Sequence, residues 1–180
     1  MVYVALLRGV NVGGKSMVSM AALKGCFEQL GFADVKTYIN SGNVIFHAEQ
    51  GDSQSLATQI ETALDQMFNQ SIRVLIKARE ELRELVTAIP ADWINDGDTK
   101  CDVLFLWPAI DTPEVLRELP SSPVLEDVRY VPGAVLWHIN RSSLGDSRMA
   151  RIAGTKIYRQ MTTRNPNTVR KLLALADEIN

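Results

Sequence analysis

Residues 35–47 read Val-Lys-Thr-Tyr-Ile-Asn-Ser-Gly-Asn-Val-Ile-Phe-His, in which two strand-like runs flank a polar turn. The runs are residues 35–39 and 44–47. The four residues between them, Asn40-Ser41-Gly42-Asn43, suit a tight hairpin turn because Asn and Gly tolerate the backbone angles that such turns need. This stretch therefore predicts a pair of antiparallel strands within the first half of the chain.

Helices are predicted on both sides of this hairpin. Ser19 is the expected N-cap of the first helix, and Gly31 is its expected C-terminal cap. The predicted elements of this half, in chain order, are strand 2–7, helix 19–30, strands 35–39 and 44–47, a helix from Asp52 or Ser53 to about Asn69, and strand 72–76. The order β-α-β-β-α-β is that of a ferredoxin-like fold, in which two helices cover one face of an antiparallel sheet.

The second half repeats this order imperfectly, after a connecting helix over residues 79–89 and a polar loop over 92–100. Its predicted elements are strand 102–107, a short helix opened by Thr112-Pro113, a hairpin of strands 125–131 and 134–139 around Pro132-Gly133, and a last helix that is capped by Asn165, opens at Pro166 and runs through Ile179. The closing strand is absent from this prediction. We expect an α+β fold of two related ferredoxin-like halves with antiparallel sheets, residues 1–77 and 102–180, joined by residues 78–101.

Residues 9–16, Gly-Val-Asn-Val-Gly-Gly-Lys-Ser, match the phosphate-loop pattern of nucleotide hydrolases. Two elements of a working phosphate loop are missing: the helix is predicted to start late, at Ser19, and no later apolar strand ends in an Asp that could hold magnesium. We therefore expect no nucleotide hydrolysis. The glycines leave two interpretations open, an anion-binding nest of backbone amides or a crossover turn that needs glycine for its geometry alone.

Composition excludes several classes of protein. The chain has 180 residues, 46% of them hydrophobic, and a net charge of -2, as expected for an ordinary folded domain or two small halves. Cys26 and Cys101 stand outside any C-x-x-C pair, so neither zinc, a redox motif nor a disulfide is indicated, and no metal or cofactor is assigned. No segment resembles a signal peptide or a membrane span, so we expect a cytoplasmic protein with no membrane partner.

Positive charge is concentrated in one segment, residues 141–171, where eight cations accompany a single acid, Asp146. The cations are Arg141, Arg148, Arg151, Lys156, Arg159, Arg164, Arg170 and Lys171. If these side chains converge they attract phosphate or carboxylate ligands, and if they do not they form a solvated face.

Two stretches supply candidate ligand-binding residues. The glycine loop and the hairpin turn contribute Arg8, Asn11, Gly13, Gly14, Lys15, Ser41 and Asn43, and the segment before the last helix contributes Lys156, Thr163, Arg164 and Asn165. Hydroxyls, a guanidinium and helix amides are predicted to converge at this helix start, where the helix dipole favours an anion. The alternative is that Asn165 only caps the helix. Arg8, Lys15 and Arg164 are predicted to share one anion.

Three stretches together carry a resemblance to a known family. They are Leu-Arg-Gly-Val-Asn-Val-Gly-Gly-Lys at 7–15, Tyr-Ile-Asn-Ser-Gly-Asn-Val-Ile-Phe at 38–46, and Tyr-Arg-Gln-Met-Thr-Thr-Arg-Asn-Pro-Asn-Thr-Val at 158–169. The combination resembles DUF1697, a family of small bacterial proteins without an established function. In that family the residue after the lysine is often Asn, which implies that the Ser16 match is incidental. Pro166 stands where the family usually has Trp, so a stacking role is not expected here.

These observations favour a non-enzymatic module that binds a nucleotide or nucleic acid through phosphate contacts. The second hypothesis is an enzyme that acts on a phosphorylated or acidic small molecule. The third is a protein-interaction domain whose sheet edge pairs with a partner or with a second copy in a homodimer, since the second half lacks a predicted fourth strand.

Overall fold

The computed structural model describes residues 1–11, 18–49 and 51–179. The chain divides into two compact units, Met1–Leu82 with Lys171–Asn180, and Arg83–Arg170. The strands and α-helices in chain order are β1 Val2–Leu7, α1 Met20–Gln29, β2 Ala33–Tyr38, β3 Asn43–His47, α2 Ser53–Phe68, β4 Val74–Ala78, α3 Arg79–Ala88, β5 Thr99–Leu106, β6 Glu126–Val131, β7 Ala134–Asn140, β8 Met161–Arg164 and α4 Pro166–Asp177.

The first unit has the predicted β-α-β-β-α-β order, and its antiparallel sheet has the strand order β2-β3-β1-β4. Helix α1 begins where the sequence predicts, because the Ser19 hydroxyl accepts a hydrogen bond from the Ala22 N–H. It ends before Gly31, which has φ of 86°. Apolar side chains of both helices and of one sheet face, among them Phe27, Phe46 and Ile60, form the buried core of this unit.

The second unit contains a sheet of the same kind, with the order β6-β7-β5-β8. The prediction that its closing strand is absent is wrong, because β8 pairs antiparallel with β5. Three of the four residues of β8 are Thr, Thr and Arg, so it lacks the apolar run by which strands are recognised.

Short 3₁₀ helices replace the two sheet-covering helices of this unit. They are Pro108–Ile110, Pro113–Arg117, Arg141–Ser143, Met149–Gly154 and Ile157–Gln160. The helix predicted after Thr112 is thus a single 3₁₀ segment. Helix α4 follows the closing strand β8, as α3 follows β4, so α4 corresponds to α3. The predicted order, which lacked the closing strand, made α4 the counterpart of α2.

Hydrogen bonds at the end of the first strand repeat between the units. The Leu7 N–H donates to the Gly42 carbonyl at 2.8 Å, and the Leu106 N–H donates to the Gly133 carbonyl at 3.0 Å. The strand registers agree: His47 lies opposite Val2, and His138 lies opposite Cys101. The two halves therefore repeat the same sheet, and the two histidines are equivalent strand positions, which supports a duplicated fold over a catalytic role for either one.

No helix in the described part of the chain is long and apolar enough to cross a membrane. Cys26 and Cys101 are buried free thiols, which pack as small apolar groups.

Candidate functional site

Three segments of the first unit meet at one end of its sheet. The Leu7 N–H donates to the Gly42 carbonyl at 2.8 Å, and the Arg8 N–H donates to the Arg73 carbonyl at 2.9 Å. Arg8 follows β1 and Arg73 precedes β4, so the side chains of two cationic residues extend from neighbouring positions on the backbone. We call this end of the sheet, formed by residues 8–11, 40–42 and 73, the loop edge.

Asn11 holds the two ends of the glycine loop together. Its Oδ1 accepts from the Val18 N–H at 2.7 Å, and its Nδ2 donates to the Val18 carbonyl and to the Asn40 carbonyl, both at 3.0 Å. The side chain thus imitates a strand partner for Val18 and ties the loop to the hairpin turn. Asn11 is a brace of the loop edge, with a left-handed backbone at φ of 58°.

The predicted ligand residues Gly13, Gly14 and Lys15, with Ser16, lie outside the described residues. The described residues on either side of them test whether this segment is a phosphate loop. Helix α1 begins at Met20 with Ser19 as N-cap, as predicted, so Ser16 precedes the helix and does not open it. The sheet is antiparallel, whereas the phosphate-loop arrangement belongs to a strand–loop–helix unit of a parallel sheet. Both observations agree with a glycine loop of another purpose.

The hairpin turn is closed by its own side chains. Asn43 is fully buried, and its Nδ2 donates to the Tyr38 carbonyl and to the Ser41 Oγ, both at 3.0 Å. A Cβ on Gly42 would lie 2.8 Å from the Leu7 Cβ, so the turn packs tightly against the end of β1. Asn43 is therefore a structural residue that supports the turn from β3, and Ser41 is the polar side chain that the turn contributes to the loop edge.

The second predicted site is divided by strand geometry. Thr163 and Arg164 are neighbours in β8, and successive strand residues point to opposite faces. Arg164 Nη1 donates to the Thr162 Oγ1 at 3.1 Å and to the Thr163 carbonyl at 2.8 Å, whereas the Thr163 Oγ1 donates to the Tyr158 hydroxyl at 3.3 Å. The Thr162 hydroxyl thus contacts the Arg164 guanidinium, whereas the Thr163 hydroxyl has Tyr158 as its partner, and the binding of one ligand by these groups stays a prediction.

Arg164 is a buried cation, with 8% of its surface exposed. Removal from water lowers the pKa of its guanidinium to about 10, and the nearby Tyr158 offsets this effect in part. Asn165 caps the following helix: its Oδ1 accepts from the Thr168 N–H at 2.8 Å, and α4 begins at Pro166 as predicted. Lys156 is exposed in the turn just before the 3₁₀ segment Ile157–Gln160.

Other cations of the basic segment stabilise backbone carbonyls. Arg141 Nε donates to the Asp96 carbonyl at 2.7 Å, and Arg170 donates to the carbonyls of Trp93 and Pro90 at 3.0 and 2.8 Å. These arginines tie the loop before β5 to later parts of the second unit. The segment is accordingly a mixture of structural and exposed cations.

Sequence reasoning missed two polar features. Arg73 carries no motif, and only strand pairing shows that it adjoins Arg8. Glu126 is 7% exposed, and its carboxylate accepts hydrogen bonds from Trp137 Nε1 at 2.8 Å, the Ser147 hydroxyl at 2.7 Å and the Ser122 N–H at 2.9 Å. With three donors satisfied, Glu126 fastens β6 to the segment before β8.

Comparison with known proteins agrees with the fold. A family model described as a protein of unknown function, DUF1697, matches residues 1–137. No curated protein matches the chain. The structure of a conserved bacterial protein from Streptococcus pneumoniae is similar at 26% sequence identity and a TM-score of 0.81, over 97% of this chain and 98% of that chain. The similarity therefore extends across both halves.

Proposed function

Since the chain belongs to the DUF1697 family of proteins of unknown function, its function has to be inferred from its own site, and we propose that the loop edge binds the phosphate group of a nucleotide or of a nucleic acid. The observation that carries this proposal is the hydrogen bond from the Arg8 N–H to the Arg73 carbonyl at 2.9 Å, which makes the two arginines neighbours beside the glycine loop. Paired arginines suit phosphate because each presents several N–H donors with a permanent charge.

The first helix supports the same proposal. Loop residues after Asn11 lead into α1, whose first turn contains no acidic residue. The partial positive charge at its N-terminus is therefore not neutralised by a carboxylate of that turn. Gly9, the residue after Arg8, has φ of 74°. Residues other than glycine rarely adopt this backbone conformation. Such backbone geometry is typical of loops whose amides approach an anion.

Binding is favoured over catalysis by the residue types present. The described residues of the loop edge include no carboxylate, imidazole or thiol, and these are the groups that most often serve as acids, bases or nucleophiles. The sheet-edge interaction hypothesis loses its premise, because β8 completes the second sheet.

Calorimetry and thermal-shift titrations with ADP, ATP, pyrophosphate, a short RNA and a short DNA test the proposal. We expect Arg8→Gln and Arg73→Gln to weaken phosphate binding about tenfold each, as for a lost hydrogen bond to a charged group. Lys24→Gln is the matched control, because Lys24 is an exposed α1 cation that pairs with Glu28 and is not one of the residues that form the loop edge. An equal loss in the control, or no binding by any of these ligands, contradicts the proposal.

The sharing of one anion by Arg8, Lys15 and Arg164 stays a prediction. A shared anion predicts that affinity falls as the salt concentration rises. It also predicts that this salt dependence becomes weaker in both Arg8→Gln and Arg164→Gln, because each removed cation removes one screened interaction. A slope that changes in Arg8→Gln alone restricts the site to the loop edge.

A further inference from the structure

Ile39, the first residue of the turn between β2 and β3, has an unusual conformation. Its φ is 49°, in the left-handed region, where the branched Cβ of isoleucine is crowded by the backbone. Its side chain is nonetheless 48% exposed, so burial of apolar surface does not account for the strain. A glycine or asparagine would adopt this backbone more easily.

The second half of the molecule provides an internal comparison. There the corresponding hairpin joins Val131 to Ala134 through Pro132 and Gly133 alone, whereas in the first half Tyr38 lies opposite Asn43 across a four-residue turn. Gly42 and Gly133 are equivalent, since each accepts a hydrogen bond from the last residue of the central strand. The longer turn, and with it Ile39, is specific to the half that carries the glycine loop.

The surroundings hold this turn in place. The Asn11 amide donates to the Asn40 carbonyl, the buried Asn43 amide donates to Tyr38 and Ser41, and Gly42 lies against β1 without room for a side chain. Ile39 thus lies between the end of β2 and a turn that is itself part of the loop edge, and about half of its surface is exposed to solvent.

From this placement we infer that Ile39 contacts the base of a nucleoside phosphate whose phosphate group is bound at the loop edge. The inference rests on the proposed function and deepens it by naming a residue that contacts the base of the ligand. A phosphate alone needs only amides and cations as binding partners. An exposed apolar side chain can instead bury its surface against the flat, weakly hydrated face of a base. A free nucleotide and a nucleic-acid strand share this chemistry.

Ile39→Gly separates base contact from phosphate contact. We expect the affinity for ADP to fall about tenfold, the effect of losing one apolar contact of this size, while the affinity for pyrophosphate changes less than twofold. The melting temperature should not fall, because glycine relieves the left-handed strain. Asn69→Gly is the matched control: Asn69 is exposed, has φ of 50° and follows α2, and its replacement should leave both affinities unchanged.

The outcomes are distinct. Equal affinity for ADP and pyrophosphate, unaffected by Ile39→Gly, overturns the base contact and leaves the phosphate site standing. Failure of ADP, pyrophosphate and the short RNA to bind the unaltered protein overturns the phosphate site and the base contact together. A short RNA that binds more tightly than ADP, with the same loss in Ile39→Gly, supports the contact and identifies a strand as its source.

Discussion

Arg164 occupies in the second sheet the register position that Lys77 occupies in the first. Lys77 lies opposite Val4 in β1, and Arg164 lies opposite Val103 in β5. Each cation stands near the end of its closing strand, shortly before a helix. Their partners differ: Lys77 is 3.7 Å from the exposed carboxylate of Glu81, whereas Arg164 donates to Thr162 and to the backbone.

We expect Arg164→Ala to lower the free energy of unfolding by roughly 2–4 kcal/mol, because it leaves buried acceptors in β8 without their donor. Lys77→Ala should cost less than about 1 kcal/mol, since its ion pair is with a half-exposed carboxylate. Urea unfolding of both variants measures the difference. Equal effects would show that the equivalent positions have equivalent energetic roles.

Two glycines should respond in opposite directions to alanine. A Cβ at Gly42 would lie 2.8 Å from the Leu7 Cβ and would strain a backbone with φ of 72°, so Gly42→Ala should destabilise the protein by about 2 kcal/mol or more. Apart from its chain neighbours and the nearby backbone of α1 itself, no heavy atom lies within 4 Å of a Cβ at Gly25. Gly25→Ala should therefore stabilise it by roughly 0.5–1 kcal/mol. Thermal denaturation compares the two, and destabilisation by Gly25→Ala would count against the packing described for α1.

Asn11 and Asn95 form matching braces. Asn95 accepts from the Cys101 N–H and donates to the Cys101 carbonyl, as Asn11 does with Val18. Asn11→Ala and Asn95→Ala should each reduce stability by about 1–3 kcal/mol through unsatisfied backbone groups. Only Asn11→Ala should also weaken phosphate binding, since it alone releases the glycine loop. Calorimetry of both variants checks this, and weaker binding in Asn95→Ala would mean that the effect is not local.

Asp102 makes stability depend on pH. Burial raises the pKa of its carboxyl, although Lys100 at 2.9 Å and Arg141 oppose the shift. The folded state then binds the proton more tightly than the unfolded chain, so this residue's contribution to stability falls as pH rises from the usual Asp pKa, near 3.9, through the raised value. Asp102→Asn should remove that fall in urea titrations from pH 3 to 7.

Asp127→Asn is the control, because the pKa of Asp127 is shifted in the opposite direction. A hydrogen bond from Arg129 lowers the pKa of Asp127, so its contribution is present above the usual pKa and is lost as pH falls through the lowered value. The effect should be small because both side chains are about half exposed. If Asp102→Asn and Asp127→Asn changed the pH dependence of stability in the same direction, the causes assigned to the two pKa shifts would be contradicted.

Turnover of ATP or GTP should be absent. Helix α1 starts after Ser19, the sheet is antiparallel, and the described strands end in residues other than a magnesium-binding Asp. A coupled phosphate-release assay with magnesium should give the same background rate for the unaltered protein, Lys15→Ala and Ser16→Ala. Hydrolysis that disappears in both variants would restore the phosphate-loop interpretation.

Local sequence signals predicted most of the first unit. Ser19 and Asp52 cap their helices because short polar side chains satisfy free helix amides. The predicted turn joins β2 and β3, and Gly42 adopts one of its left-handed backbone positions, although the other is occupied by Ile39. The same reasoning located Asn165 as the cap of α4. These interactions lie within a few residues of one another, so composition and spacing are sufficient to indicate them.

By itself, the sequence determined the two hairpins, the helix caps and the late start of α1, since each depends on neighbouring residues. Only the tertiary structure decided that Met161–Arg164 is a strand and that Thr163 and Arg164 point apart, because pairing with β5 sets both and the polar residues of β8 carry no strand pattern. It alone made Arg73 a neighbour of Arg8. Hydrogen bonds between strands distant in the chain depend on the register of the whole sheet, which no local pattern specifies.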